Sequence, residues 1–241
     1  MNPSLVGSEM CIRDSGYTVK SKLTSHTIVT GYDGRLTSPS LHKALCEGLK
    51  DSGVKVINIG MGPTPMTYFA HYHFEADAAV MLTGSHNPSE YNGFKMVFNK
   101  HSFFAEDIQS LQKLLDNNAL ELADGQIIEQ DITKEYIERD LLNISLNRKL
   151  KVAWDPGNGA MGKVTRKITE KLFNSENIII NEEVDGNFPN HHPDPTVPKN
   201  MIQLIETVNK NNCDIGLAFD GDGDRLGAVS YTHLRAHETR I

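Results

Sequence analysis

The sequence predicts an α/β fold of two consecutive three-layer α/β/α domains with mixed, mostly parallel sheets. Three observations lead there. Short β-branched or apolar runs alternate with helix-length amphipathic segments in the first half of the chain, the rhythm of strands joined by crossover helices. One run, "ADAAVMLTG", is almost wholly apolar, as a strand covered on both faces should be. The same rhythm resumes after the polar stretch "LNRK". The boundaries read as 16–147 for the first domain and 148–229 for the second.

The elements follow in order. "HTIVTGYDG" is a β-branched strand that breaks between Gly31 and Gly34. In "TSPSLHKALCEGLKDSG", Thr37 or Ser38 can cap a helix and Pro39 suits its first turn. Leu41, Leu45 and Leu49 share a face of that helix, and Gly53 ends it. "VKVINIG" is a strand, "TPMTYFAHYHF" a helix with His71 and His73 expected to be partly exposed, and "ADAAVMLTG" a strand. "DITKEYIERDLLNIS" reads as a helix before the linker near Asn147. Beyond it come strand "LKVAW", helix "KVTRKITEKLF", strand "NIIINEEV", helix "KNMIQLIETVNKN" and strand "CDIGLAF". The two ends, 1–15 and 230–241, lack any periodicity that continues their neighbours and resemble translated adaptor sequence. They are expected to be non-native tails of a longer protein.

Composition excludes several functions. A net charge of −7 over 241 residues argues against a general nucleic-acid binder. Cys11, Cys46 and Cys213 lack framework spacing, which fits a reducing compartment. No run is long enough for a membrane helix, and the start lacks the blocks of a secretion signal. The expectation is a soluble cytoplasmic protein with no nucleic-acid or membrane partner, monomeric or dimeric.

Two stretches carry chemistry. In "LAFDGDGDRLG", Asp220, Asp222 and Asp224 alternate with Gly221 and Gly223 directly after an apolar strand. Alternation puts the carboxylates on one side of an extended loop, and the glycines let the backbone fold closely around one point. Clustered carboxylates repel unless a cation sits among them, and hard oxygen ligands favour Mg²⁺ or Ca²⁺. An EF-hand starting at Asp220 needs Gly at 225 and Glu at 231, but Arg225 and Tyr231 stand there. A solvated acidic turn is the competing reading, and such turns seldom need three evenly spaced aspartates.

"TGSHNP" places Ser85 beside Gly84 and His86 at a strand end. A lipase-type elbow requires Gly where Thr83 and Asn87 stand, so that reading fails. A structural turn stays open, and so does a serine that carries a phosphoryl group, with Lys95 and Arg35 as candidate cations. "FPNHHPDP" reads as a rigid loop, because the adjacent His191 and His192 cannot easily face one metal.

Taken together, "GYDGRLTSP", "TGSHNPSEYNGFKMV", "DPGNGAMG", "DGNFPNHHPDP" and "AFDGDGDR" resemble, in order and spacing, the α-D-phosphohexomutases, above all the bacterial phosphomannomutase/phosphoglucomutase branch. The resemblance covers nearly all of residues 28–229. It implies that Ser85 carries a phosphoryl group and that Asp220, Asp222 and Asp224, with an oxygen of the seryl phosphate, hold Mg²⁺. It further implies that Arg225 reaches the phosphoryl group or sugar. His86 and Lys95 take acid–base and charge-stabilising roles, and Arg35 is an active-site arginine. The expected reaction interconverts hexose 1- and 6-phosphates of mannose and/or glucose through a 1,6-bisphosphate, with phosphorylated hexoses as partners. The family's "YDIRG"-like, sugar-reading and phosphate-clamping motifs are not found. The chain therefore reads as a fragment expected to be inactive alone. The alternative is a non-catalytic metal- or phosphosugar-binding module.

Overall fold

The computed structural model describes residues 27–98, 101–103, 123–230 and 233–240. β1 (Thr27–Tyr32) is central to the first sheet. α1 (Ser38–Asp51) begins after Thr37 with Pro39 in its first turn, and it buries Leu41, Leu45 and Leu49 as their spacing requires. Gly53, just past its end, takes φ 85°, a left-handed stop that favours glycine. β2 (Lys55–Met61), α2 (Thr64–His73) and β3 (Ala78–Leu82) follow, and every residue of β3 is buried. His71 departs from expectation. It is fully buried, because α2 packs against β1 and β3 on that face.

Three strands of the first sheet went unread in the sequence: β4 (Phe94–Phe98), β5 (His101–Phe103) and β6 (Gln126–Glu129). The sheet order is β5-β4-β3-β1-β2-β6. β1 pairs in parallel with β2 and β3, and β2 with β6, while β4 is antiparallel to β3 and to β5. The β3–β4 register sets Met81 opposite Lys95, which brings Lys95 beside the loop that leaves β3.

α3 (Thr133–Leu141) packs against α2 and against α4 of the second domain. The second sheet contains β7 (Leu150–Asp155), β8 (Ser175–Ile179), β9 (Ile215–Phe219), β10 (Arg225–Ser230) and β11 (His233–Arg240), in the order β11-β10-β9-β7-β8. α4 (Gly162–Lys171), a 3₁₀ turn (Pro198–Met201) and α5 (Ile202–Asn211) complete it. β7 is parallel to β8 and β9, whereas β10 is antiparallel to both of its neighbours. β8 ends at Ile179, short of the "NEEV" expected to extend it. The segment set outside the fold, 230–241, supplies the edge strand β11. Ladder pairing uses backbone groups, so it needs no apolar periodicity.

One cluster of buried side chains crosses both domains. Val29, Ile57 and Met66 of the first join Ile137 of α3 and Trp154, Val164 and Phe219 of the second. The Trp154 and Phe219 rings stack at 6.4 Å and 6°. This shared core fixes the ends of β3 and β9 relative to each other, and both candidate loops leave from those ends.

Candidate active site

The serine loop is organised by a residue the sequence reading missed, Asp33. Its buried carboxylate accepts hydrogen bonds from the Arg35 amide (3.2 Å) and Nε (3.0 Å), Ser38 Oγ (2.6 Å), Thr83 Oγ1 (2.9 Å) and the Gly84 amide (3.0 Å). The Ser85 amide donates to Thr83 Oγ1 at 2.8 Å. Ser85 takes φ 51°, a conformation non-glycine residues enter only when their surroundings dictate it. Gly84 leaves no room for a side chain, since a Cβ would stand 2.3 Å from Arg35 Cζ and 2.5 Å from the Tyr91 carbonyl.

Arg35 is not placed as a group facing substrate. It is fully buried, and its guanidinium donates to the carbonyls of Ser85 and Asn87, each at 2.8 Å, and of Pro88. With Nε on Asp33, its donors are committed to shaping the loop. The arginine expected at the active site thus braces the loop that carries Ser85.

The aspartate loop leaves β9 and is fixed from three sides. The Gly221 carbonyl accepts from the Ala160 amide (3.0 Å), the Gly221 amide donates to the Pro193 carbonyl (3.2 Å), and the Asp222 carbonyl accepts from the Thr64 amide (2.8 Å). Thr64 Oγ1 also donates to Asp222 Oδ2. Thr64 opens α2, so the first domain grips the loop of the second. A Cβ on Gly221 would stand 2.6 Å from the Ser85 carbonyl, so the two loops touch.

The expected residues meet here. Ser85 Oγ lies 3.4 Å from Asp220 Oδ2 and 3.5 Å from both Lys95 Nζ and His86 Nδ1. Lys95 Nζ donates to Asp222 Oδ2 at 2.7 Å and Asp224 Oδ2 at 2.6 Å. Arg225 donates from its amide to Asp220 Oδ1 (3.0 Å) and from Nε to Asp220 Oδ2 (3.1 Å), with Asp194 at 3.9 Å on its far side.

Protonation separates the two groups near Ser85. Burial and the Arg225 charge lower the His86 pKa, which leaves a neutral imidazole able to take a proton. Burial alone would lower Lys95, but Asp222 and Asp224 outweigh it and hold the ammonium above the ordinary lysine value. Lys95 is therefore charged and His86 neutral near pH 7. Cys46, by contrast, is a thiol that burial pushes up to about 12, and is no nucleophile.

The aspartates fit a hard divalent cation. One oxygen from each of Asp220, Asp222 and Asp224 lies within 4.8 Å of the others. Asp222 Oδ1 is buried with no hydrogen-bond partner among the described residues. Burial and the like charges of Asp222 and Asp224 push Asp220 up to about 7 despite its contact with Arg225. Among the described residues, three carboxylates face only two cations, Lys95 and Arg225, which leaves room for further positive charge, and oxygen-only donors match Mg²⁺ or Ca²⁺.

The fold and the site define a two-domain α/β protein in which a serine loop and an acidic triad meet at the domain seam. The description phosphoglucomutase/phosphomannomutase, alpha/beta/alpha domain I, matches residues 11–121, and domain II of the same family matches residues 134–232. The chain belongs to the phosphoglucomutase/phosphomannomutase family. It is 47% identical over 214 residues to the phosphomannomutase/phosphoglucomutase of Pseudomonas putida, covering 89% of this chain and 46% of that protein. The phosphoglucomutase of Neisseria gonorrhoeae is 43% identical over 84% of this chain and 44% of its own length. A crystal structure of a phosphoglucomutase/phosphomannomutase family protein from Burkholderia thailandensis superposes with a TM-score of 0.85 at 38% identity, covering 94% of this chain and 51% of that one. The chain thus spans about half the length of the relatives it matches. Among the described residues no helix is long and apolar enough to cross a membrane.

Proposed function

We propose that this chain carries the phosphoryl-transfer centre of a cytoplasmic mutase that interconverts the 1- and 6-phosphates of mannose and/or glucose. The observation that carries the reading is the convergence of Ser85 Oγ with Asp220, Lys95 and His86 inside 3.5 Å. The Ser85 phosphoryl group passes to the 6-hydroxyl of a hexose 1-phosphate: the P–Oγ bond breaks, a P–O6 bond forms, and the hydroxyl proton passes through a base to the departing Ser85 Oγ. The resulting 1,6-bisphosphate turns over and returns its other phosphoryl group. P–O1 then breaks, P–Oγ re-forms, neutral His86 takes the seryl proton, and the departing O1 takes up a proton to give the hexose 6-phosphate. Lys95 and Arg225 place positive charge beside the transferring group. Asp220, Asp222 and Asp224, with the phosphorylated Ser85, would hold Mg²⁺, which supplies charge to offset that on the transferring oxygens.

The test is incubation of the chain with glucose 1,6-bisphosphate and Mg²⁺, followed by peptide mass spectrometry. Phosphate is expected on Ser85 and is expected to vanish in Ser85→Ala. Label that persists in that variant would show the nucleophile to be misassigned. Binding of Mg²⁺ and phosphosugar without any seryl phosphate would instead make this a binding module.

A further inference from the structure

The stretch "DGNFPN" has no task in this scheme, yet it packs against Arg35, the arginine that braces the serine loop. Phe188 takes φ 51°, in a region that bulky side chains rarely enter. The turn around it is pinned: the Phe188 amide donates to the Asp185 carbonyl (2.9 Å) and the Asp185 amide to the Asn158 carbonyl (3.0 Å). The Asp185 carboxylate accepts from the amide and the side chain of Asn187, each at 2.9 Å. Strain that the surroundings hold in place points to a role for what it presents.

What it presents is a buried ring. The Phe188 centroid lies 5.5 Å from Arg35 Cζ, within the range of a cation–π contact. Gly186 of the same turn presses on the Arg35 backbone, where a Cβ would stand 2.8 Å from Arg35 Cα and 2.6 Å from the Leu36 amide. On its other contacts the guanidinium meets the Gly84 backbone and the carbonyls of Ser85, Asn87 and Pro88. Arg35 belongs to the first domain and Phe188 to the second.

We propose that Phe188 is a positioning residue for Ser85. The 185–188 turn sets its ring against Arg35, and Arg35 then holds the serine loop in the left-handed conformation that faces Ser85 toward the aspartates. Docking of the second domain is therefore needed for the first to keep its nucleophile in place. This rests on the reading of Ser85 as the phosphoryl carrier. It assigns Phe188 to the serine and not to the cation site, because the Arg35 side chain donates to Asp33 and the serine loop and to none of the three aspartates.

The experiment compares wild type with Phe188→Ala, Phe188→Leu and Phe188→Tyr in the whole chain. It reads amide hydrogen exchange of the serine loop, Mg²⁺ affinity by calorimetry, and the rate of Ser85 labelling by glucose 1,6-bisphosphate. Phe188→Ala is expected to speed exchange in the loop and slow labelling at least about tenfold, since small misplacements cost rate steeply. Mg²⁺ affinity should stay near wild type, and Phe188→Tyr should restore both loop readouts. Phe188→Leu keeps apolar bulk without the ring and should exchange fast even if the alanine variant does not fold. Wild-type exchange in the leucine or a folded alanine variant overturns the proposal. So does a parallel loss of Mg²⁺ affinity. Failure to label Ser85 in the wild type would sink the phosphoserine reading alone, and the exchange comparison would still decide the link from Phe188 to the loop.

Discussion

Asp222 is fully buried and its carboxylate is held from the first domain by Thr64 and Lys95. Burial would raise its carboxyl, but Lys95 and the Thr64 hydroxyl together hold it below the ordinary range, so it stays ionised beside an Asp220 that is pushed up to about 7. Asp222→Asn removes that charge while keeping the shape. Calorimetric Mg²⁺ binding is expected to disappear in the variant, and unchanged binding would remove the cation site from Asp220–Asp224. Gly84 gives a steric counterpart. A methyl there meets Arg35 Cζ and the Tyr91 carbonyl at 2.3 and 2.5 Å, and both belong to a pinned network. Gly84→Ala should therefore cost roughly 1–3 kcal/mol in urea unfolding, the usual range for overpacking. The aspartates and Ser85 were legible in the sequence because each cluster is local, a few residues wide. Asp33 and the scaffold role of Arg35 were not. Their partners lie about fifty residues away at the end of another strand, a proximity that only the pairing of β1 with β3 creates.

At the scale of elements, the loop from β8 to the 3₁₀ turn is tied to the end of β7 by His191. Its Nε2 faces Asp155 Oδ2 at 2.9 Å and its Nδ1 faces the His192 carbonyl at 3.0 Å. Both nitrogens meet acceptors, an arrangement only the doubly protonated ring satisfies. Burial alone would lower its pKa, but Asp155 outweighs that and raises it. The sign follows from linkage. A raised folded pKa contributes stability that is full below the unfolded value of about 6.5 and is lost as pH rises through the folded value. The melting temperature lost in His191→Gln should therefore be larger at pH 5.5 than at pH 9. An equal or reversed difference would mean that the imidazolium pair is not what ties the loop. The sequence showed this stretch as a rigid loop and argued against a zinc role, but the Asp155 partner, 36 residues earlier, was invisible. Elements with strong patterns were legible: the apolar β3, the leucine face of α1, and the crossover rhythm itself. β4 and β6 were not, since β4 is half-buried and β6 mostly exposed. Strands with weak apolar contrast carry little periodic signal.

The whole molecule places the reaction centre on a seam. The serine loop comes from the first domain, the aspartate loop from the second, and Thr64 and Phe188 each cross between them. A shared core of both domains supports that seam, so the local constellation should survive in this chain by itself. Substrate positioning is a separate matter. The chain spans 46% of its Pseudomonas putida relative, and among its described residues Lys95 and Arg225 are the cations at the reaction centre. Both are engaged with the aspartates, which leaves little to grip the second phosphate of a bisphosphate. Positioning can account for roughly 7–11 kcal/mol of a barrier. Turnover by residues 1–241 should therefore be negligible, while slow labelling of Ser85 persists because it needs only the two loops and the cation. A coupled assay converting glucose 1-phosphate or mannose 1-phosphate to the 6-phosphate, run on this chain and on a full-length relative, separates the two. Rates within about tenfold of each other, at most about 1.4 kcal/mol apart, would show that the two domains position substrate unaided.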